Sequence, residues 1–239
     1  MALALGAGGF VKGATGMGMP IVALPILATF LDVQHAVALL VLPLLVSNLW
    51  QAWRFRSELR HVDFLTALLS GGGLGIVVGT FLIASLPERS LSLAVAAVVF
   101  AYVALRLLKP HFVVSPDLGK RLAGPIGFSS GLLQGATGMG GPIGGTFIHA
   151  MRLHRTAHLA ALSAMFLLFV VVQIPALAFV GLLTWRIALE SALAVLPAMI
   201  MVPVGAWIAG RLGQQAFDRL MLGLLIVIAA QLLVRNLAG

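Results

Sequence analysis

Two copies of one short motif contain the residues of this chain whose types and spacing suit binding of a small ion. The first copy is GATGMG at 13–18, followed by Pro20, and the second is GATGMG at 135–140, followed by Pro142. Three glycines in six residues interrupt a helix, and proline fits the first turn of the helix that follows. Each motif therefore predicts a helix break inside an apolar segment.

A helix that begins at such a break presents backbone N–H groups without intrahelical partners and a partial positive charge of about +0.5. Such a helix terminus attracts anions, and irregular backbone at membrane depth is tolerated where it lines a cavity or ligand site. Two termini that approach the midplane from opposite faces would enclose one anion, to which Thr15 and Thr137 could donate hydroxyl hydrogen bonds. The predicted substrate-binding residues of the motifs are Gly13, Ala14, Thr15, Gly16, Met17 and Gly18, and Gly135, Ala136, Thr137, Gly138, Met139 and Gly140.

Close helix packing is the alternative role for the motif glycines, and side-chain packing is the alternative role for the two methionines. Packing needs only small residues. It does not explain why Thr, Met and Pro recur at fixed offsets in both copies. We therefore favour anion binding.

Five polar side chains outside the motifs are further candidates for substrate binding. Lys12 precedes the first motif, and an ionisable residue inside a membrane segment marks a functional site, with snorkelling to an interface as the alternative. Gln134 occupies the corresponding position before the second motif. Asn48, Gln51 and Gln173 are amides in apolar segments, for which interhelical hydrogen bonding is the alternative.

Titratable residues form no recognisable metal or catalytic site. His149, His154 and His158 lack a metal-ligand spacing, so we expect no metal and no cofactor. A zinc-protease helix motif, a nucleophile elbow and a deep carboxylate pair are all absent from the sequence, which predicts that the protein is not an enzyme. Only Glu190 among the carboxylates enters a predicted span. Proton coupling would need Glu190, a histidine or the substrate itself.

The composition places these motifs in a lipid bilayer. The chain has 239 residues, of which 61% are hydrophobic and 9% charged, and its mean hydropathy is +1.10. A soluble domain does not carry such values. The 15 basic residues lie in short clusters between apolar segments, which indicates membrane topology and not nucleic-acid binding.

The motifs belong to a longer internal repeat. A shift of 122 residues aligns 9–21 with 131–143, with nine of thirteen positions identical, and places Gln51 opposite Gln173. After a slip of four residues, Gly79 aligns with Gly205. Repeats of this length indicate duplicated structural units. We predict a first repeat at 1–109, a cytoplasmic linker at 110–120 and a second repeat at 121–239.

In each predicted repeat, a Gly-rich segment precedes three long apolar segments. If the Gly-rich segments are re-entrant hairpins, eleven Lys and Arg residues are cytoplasmic and three external, whereas broken spans give nine and five. The hairpin arrangement is favoured, and it predicts an all-α polytopic protein with two inverted repeats and ten membrane segments. The six predicted full spans are 35–53, 62–85, 90–108, 158–180, 186–209 and 215–235.

With these features the sequence resembles the TauE/SafE family, also called the 4-toluene sulfonate uptake permease family, of sulfite and organosulfonate transporters. The resemblance covers essentially the whole chain and rests on its size, its two-fold repeat, and GATGMGMP at 13–20 and GATGMGGP at 135–142. It implies a bacterial or archaeal inner-membrane permease for sulfite, sulfonates, sulfoacetate or related anions, driven by an ion gradient. Many members carry a denser glycine run at the motif, and the motif match transfers the substrate role to Gly13–Gly18 and Gly135–Gly140.

We therefore expect a multi-pass carrier that alternates access to a small sulfur-containing anion held between the two hairpins. An anion channel and a membrane scaffold subunit are the alternatives. The expected partners are the anion, a coupling proton or cation, and lipid, without nucleic acid. Transport direction, the coupling ion and the oligomeric state are not encoded in these motifs.

Overall fold

The computed structural model is helical throughout the residues that it describes, and these contain no β-strand. They are 1–16, 18–108, 113–209, 211, 223, 226, 227, 230 and 231. A 3-10 helix covers Arg56–His61. The α-helices are α1 Ala2–Thr15, α2 Met19–Leu27, α3 Val33–Arg54, α4 Leu65–Ser85, α5 Glu88–Leu108, α6 Pro116–Thr137, α7 Gly141–Ala150, α8 Arg155–Phe179 and α9 Trp185–Ala209.

Five of these helices, α3, α4, α5, α8 and α9, are long and apolar enough to cross a membrane. Their ends fall within three residues of the predicted spans, because an unbroken apolar run of about 20 residues is the length that a bilayer requires. The predicted span at 215–235 lies outside the described residues, apart from isolated positions. The chain is thus a multi-pass, all-helical membrane protein.

The helices pack into two compact units, each containing one Gly-rich motif. Both units draw segments from both predicted repeats, so the repeat boundaries remain a prediction from sequence. Unit 1 comprises Met1–Pro43, Leu86–Pro110 and Trp185–Gly239, and unit 2 comprises Leu44–Ser85 and His111–Thr184.

In unit 1, α1 packs against α9 at backbone contact. A Cβ added to Gly9 or Gly13 of α1 would overlap the carbonyls of Ala198 and Val202 in α9, and Gly205 of α9 approaches the backbone of α1 equally closely. Small residues allow such contact, which matters because lipid supplies no hydrophobic force between helices. The first glycine of the first motif therefore has a packing role.

In unit 2, the contact between α4 and α6 has the same character and more glycines. Three glycines spaced four residues apart on each helix face the partner backbone, and a Cβ on any of them would overlap a carbonyl oxygen. Under the repeat alignment this pairing corresponds to that of α1 with α9, since Gly79 aligns with Gly205. The glycines are Gly71, Gly75 and Gly79 of α4 and Gly127, Gly131 and Gly135 of α6.

Helices α6 and α7 form an antiparallel pair. The Val114 N–H donates to the Ala150 carbonyl at 3.0 Å, which places the start of α6 beside the end of α7. α6 begins at Pro116 and has 22 residues, about 33 Å at ~1.5 Å per residue. The predicted linker at 110–120 overlaps this helix, because α6 includes the polar residues at 116–120. Its apolar part, 122–137, remains shorter than a full span.

One end of unit 2 gathers the segments that flank this pair. Glu58 of the 3-10 helix accepts from the His154 ring at 2.9 Å, just before α8. Lys120 in the early turns of α6 lies 2.9 Å from Asp63, which precedes α4. The hydrogen bond from Lys120 lowers the pKa of the Asp63 carboxyl, although both side chains are exposed and the pair contributes little to stability.

Gly75→Ala should destabilise the protein, because its new methyl would overlap the carbonyl of Phe128 in α6. We expect the free energy of unfolding to fall by about 1–3 kcal/mol. Gly73→Ala, on another face of α4, is the matched control, since its Cβ would meet only Leu168 Cδ2 at 4.0 Å. Thermal unfolding in detergent compares the two, and equal melting temperatures would contradict the packing assigned to Gly75.

Candidate functional site

The first helix break lies in unit 1 between α1 and α2. α1 ends at Thr15, and the N–H of Gly16, with φ of 78°, donates to the Lys12 carbonyl at 2.8 Å. Gly18 has φ of 102° and precedes α2. Positive φ at these two positions favours glycine. Met17 lies outside the described residues. The break is therefore 16–18, narrower than the six-residue motif.

The second break lies in unit 2 between α6 and α7. Gly138 has φ of 71° and its N–H donates to the Gln134 carbonyl at 2.7 Å, which closes α6. Gly140 has an ordinary helical φ of −74°. Glycine is needed there for space, since a Cβ would lie 2.8 Å from the Ser130 carbonyl oxygen. Pro142 stands in the first turn of α7, as predicted. The three motif glycines thus differ in role: Gly135 packs, Gly138 turns the chain, and Gly140 allows close approach.

A buried network of neutral side chains satisfies the backbone of the second break. Gln134 Oε1 accepts from the Gly140 N–H at 2.9 Å, and the Ser130 hydroxyl donates to the Gly140 carbonyl at 2.8 Å. Gln134 Nε2 donates to Gln173 Oε1, and Gln173 Nε2 donates to the Gln134 carbonyl, both at 3.3 Å. The structure thus brings the predicted residues Gln134 and Gln173 together. Their hydrogen bonds are interhelical, and their substrate role stays a prediction.

The first break has a cation where the second has an amide. Lys12, aligned with Gln134, is only 5% exposed, so its side chain lies within the protein and not at its surface. An ammonium group has donors and no acceptor, whereas Gln134 caps Gly140 through an acceptor oxygen. Lys12 therefore cannot cap Gly18 as Gln134 caps Gly140.

Burial also differs between the two motifs. In the first, Gly13, Ala14, Thr15 and Gly16 are half-buried and Gly18 is buried. In the second, only Ala136 is half-buried. The other five are buried: Gly135, Thr137, Gly138, Met139 and Gly140.

Both motif threonines use their hydroxyl protons within their own helices. Thr15 Oγ1 donates to the Val11 carbonyl at 2.9 Å, and Thr137 Oγ1 donates to the Leu133 carbonyl at 2.7 Å. A hydroxyl has a single proton. Donation to an anion would require the hydroxyl to leave this bond.

The remaining candidates, Asn48 and Gln51, lie in the part of α3 that belongs to unit 2. Both are buried, and Asn48 Nδ2 donates to the Leu44 carbonyl at 2.8 Å. Their role in substrate binding stays a prediction. Within the described ranges, no three His, Asp or Glu side chains are arranged to hold a metal ion.

Ser130 is a component of the second break that the sequence analysis did not single out. It lies one turn before Gln134 on the same face of α6, and its hydroxyl reaches across the break to Gly140. An i, i+4 pair of polar residues in an apolar helix was the available signal. Its counterpart in the repeat is glycine at position 8, so the repeat itself did not reveal it.

A comparison with family models decides the identity of the chain. The model described as Sulfite exporter TauE/SafE matches residues 1–232. The chain belongs to the TauE/SafE family. This family consists of membrane transporters and not of enzymes, so the resemblance and the non-enzymatic prediction are confirmed. No curated protein and no solved structure matches this TauE/SafE protein.

Ser130→Ala should loosen the second break, because the buried Gly140 carbonyl loses its hydroxyl donor. The carbonyl keeps the Gly144 N–H as a donor, so we expect a loss of about 0.5–1.5 kcal/mol in the free energy of unfolding. Ser129→Ala is the control, since Ser129 is exposed and its hydroxyl donates only to the Pro125 carbonyl of its own helix. Surface substitutions of this kind stay within about 0.5 kcal/mol. Denaturant or thermal unfolding of both variants measures the difference. An unaffected Ser130→Ala protein would contradict the role assigned to the bond from Ser130 to Gly140.

Proposed function

We propose that this protein is a secondary transporter for a small sulfur-containing anion of the sulfite, sulfonate or sulfoacetate type, at a bacterial or archaeal inner membrane. Membership of a transporter family supports the reaction class. The observation that carries the assignment to an anion site is the replacement of the Gln134 cap by the buried cation Lys12 at the first break.

The hydrogen bonding of the second break indicates which kind of group would bind at the first one. In unit 2, the partially negative oxygen of Gln134 lies 2.9 Å from the Gly140 N–H, at the start of α7. In unit 1, the corresponding residue Lys12 offers no such oxygen, and its amine carries a positive charge when it is protonated. The start of α2 contributes a partial positive charge as well. In this proposal an anion oxygen takes the place that the Gln134 oxygen has at the second break.

The charge balance favours a bound anion over an apolar or cationic solute. Burial of an ammonium group in a low-dielectric interior is unfavourable, and a nearby negative charge offsets part of that cost. A sulfite or sulfonate group combines the negative charge with several oxygens that can accept backbone N–H groups. The proline in the first turn of α2 removes a donor at that position only, so the amides of Met19 and Ile21 remain first-turn donors.

We further propose that both Gly-rich segments are re-entrant hairpins within two inverted repeats. The bond from Val114 to Ala150 supports this for the second repeat, because it brings the two ends of the Gly-rich segment together. The contact between Glu58 and His154 brings a loop of the first repeat to the same end of unit 2. The sequence repeat is the ground for proposing that both breaks serve the same anion. Rocking of such repeats then exposes the site alternately to each side.

Lys12→Gln should abolish the charge of the first break and introduce the cap found in the second. We expect anion affinity and the initial rate of flux to fall about ten-fold or more, because an amide replaces a full charge. Anion binding is measured as the rise in melting temperature with sulfite or methanesulfonate. Flux is measured as saturable uptake of the same anions into proteoliposomes.

Lys120→Gln is the matched control for this substitution. Lys120 is half exposed and pairs with the exposed Asp63 at one end of unit 2, so its loss should leave affinity and flux unchanged. Wild-type affinity and flux in a folded Lys12→Gln protein would remove Lys12 from the site. Non-saturable flux of the wild type would favour a channel.

Single cysteines at positions 57 and 153 should react from the same face of the membrane. The chain has no native cysteine, so each label reports one position. The adjacent residues Glu58 and His154 are in contact, which places both positions near one end of unit 2. Labelling of intact cells with an impermeant maleimide checks this. Reaction from opposite faces would restore the broken-span topology.

A further inference from the structure

A histidine and a carboxylate meet between two membrane helices of unit 1. His35, in the first turn of α3, has Nε2 at 2.7 Å from Glu190 Oε2 in α9, and the side chains are 30% and 29% exposed. Arg186 Nε donates to the other Glu190 oxygen at 3.2 Å, and its side chain is 89% exposed. The carboxylate is thus held between a permanent cation and a group that can gain a proton.

Ser191, the residue after Glu190, forms hydrogen bonds to the backbone of α3 beside Pro43. Pro43 has no N–H, which leaves the Leu39 carbonyl without its intrahelical donor. The Ser191 hydroxyl donates to that carbonyl at 2.8 Å and accepts from the Leu42 N–H at 3.1 Å. Two successive residues of α9 therefore contact α3. Glu190 does so through an ion pair, and Ser191 does so through hydrogen bonds to the backbone. The division between the two compact units falls directly after Pro43.

Other charged groups of unit 1 have separate places. Glu88 at the start of α5 accepts from the Val33 N–H at 3.0 and 3.1 Å and so caps α3. Asp32 precedes α3, and Arg89 follows Glu88 in α5. α1 contributes Lys12 near its C-terminal end, α2 has no titratable residue, and α9 has no others besides Arg186 and Glu190. Among these residue types, histidine is the one that proteins commonly use to bind and release a proton near neutral pH.

We propose that His35, paired with Glu190, is the proton-binding site that couples anion transport to a proton gradient. The inference rests on the proposed function and names its coupling ion. With Glu190 ionised and held by Arg186, neutral His35 donates through Nε2–H and has its lone pair on Nδ1. A hydronium ion gives one proton to Nδ1 and leaves as water. The charge of the three side chains rises from 0 to +1, which balances one bound monoanion, and proton release on the opposite side reverses the step.

The reason for coupling is electrostatic. Carrying a lone anion through a low-dielectric interior is costly, and a proton taken up by the same protein reduces the net charge that moves. The Ser191 contact offers a mechanical link. Any shift of Glu190 upon protonation of His35 also displaces the next residue, Ser191, which is hydrogen-bonded to the backbone of α3. The expected result is symport of anion and proton.

The test uses proteoliposomes with a fixed internal pH of about 7.5 and an external pH of about 6 or 8, a range that spans histidine titration. The probe is radiolabelled methanesulfonate, a sulfonate that stays singly charged across this range. Wild-type uptake should be about five-fold or more faster at the acid external pH, and a protonophore should abolish the difference. His35→Gln retains a donor for Glu190 and cannot be protonated. The ratio of its uptake rate at acid external pH to that at alkaline external pH should therefore be close to one, while anion exchange persists.

His154→Gln is the matched control, because His154 and Glu58 form the same kind of pair at 2.9 Å in unit 2. Its ratio should equal that of the wild type. His35→Lys, which places a permanent cation opposite Glu190, should also give a ratio near one and serves if His35→Gln does not fold.

The outcomes separate the two proposals. A wild-type protein that moves neither methanesulfonate nor sulfite overturns the proposed function. A wild type that moves the anion equally at both pH values, or folded His35 variants that keep the wild-type ratio, overturn only the coupling role. Loss of the ratio in His154→Gln as well would also overturn it, because the effect would then not be specific to His35.

Discussion

Buried backbone groups that a helix break releases must find partners, and this constraint shapes both Gly-rich motifs. An unpaired polar group in the protein interior is costly. In unit 2 the chain provides the partners itself, through the neutral side chains of Gln134 and Ser130. In unit 1 the aligned residue is Lys12, a donor only. The same motif sequence therefore has two electrostatic outcomes, set by the one residue that precedes it.

Helix packing at backbone contact makes these breaks possible at fixed positions. Glycines of α1 leave room for backbone carbonyls of α9, and glycines of α6 leave room for those of α4. The helices that precede the breaks are therefore held along their length. Unit 2 has more such glycines, and its break is almost entirely buried. Unit 1 has fewer, and the residues of its motif before the break are half-buried. The tighter packing accompanies the break that is internally satisfied.

Hydropathy predicted the full spans closely, because length and apolar content are what a bilayer selects. It missed the start of α6, since the residues at 116–121 are polar and resemble a linker, although Ser115 and Pro116 suit a helix start. From the sequence alone, each motif also predicted one uniform break of six residues. Only the structure separates a packing glycine such as Gly135 from a turning glycine such as Gly138, because the difference lies in φ and in the neighbouring backbone.

Single hydroxyls were the least predictable part. Ser191 donates to the Leu39 carbonyl, which Pro43 leaves without its intrahelical donor. Ser130 adds a second donor to the Gly140 carbonyl at the second break, beside the Gly144 N–H. Ser130 forms an i, i+4 pair with Gln134 and Ser191 has no such polar neighbour, and in neither case does the sequence show which carbonyl the hydroxyl reaches. Both repairs are neutral, whereas the buried cation and the His35–Glu190 pair belong to unit 1. The charge that the proposed anion and proton binding requires is therefore concentrated in unit 1, while unit 2 satisfies its own break with uncharged amides and hydroxyls.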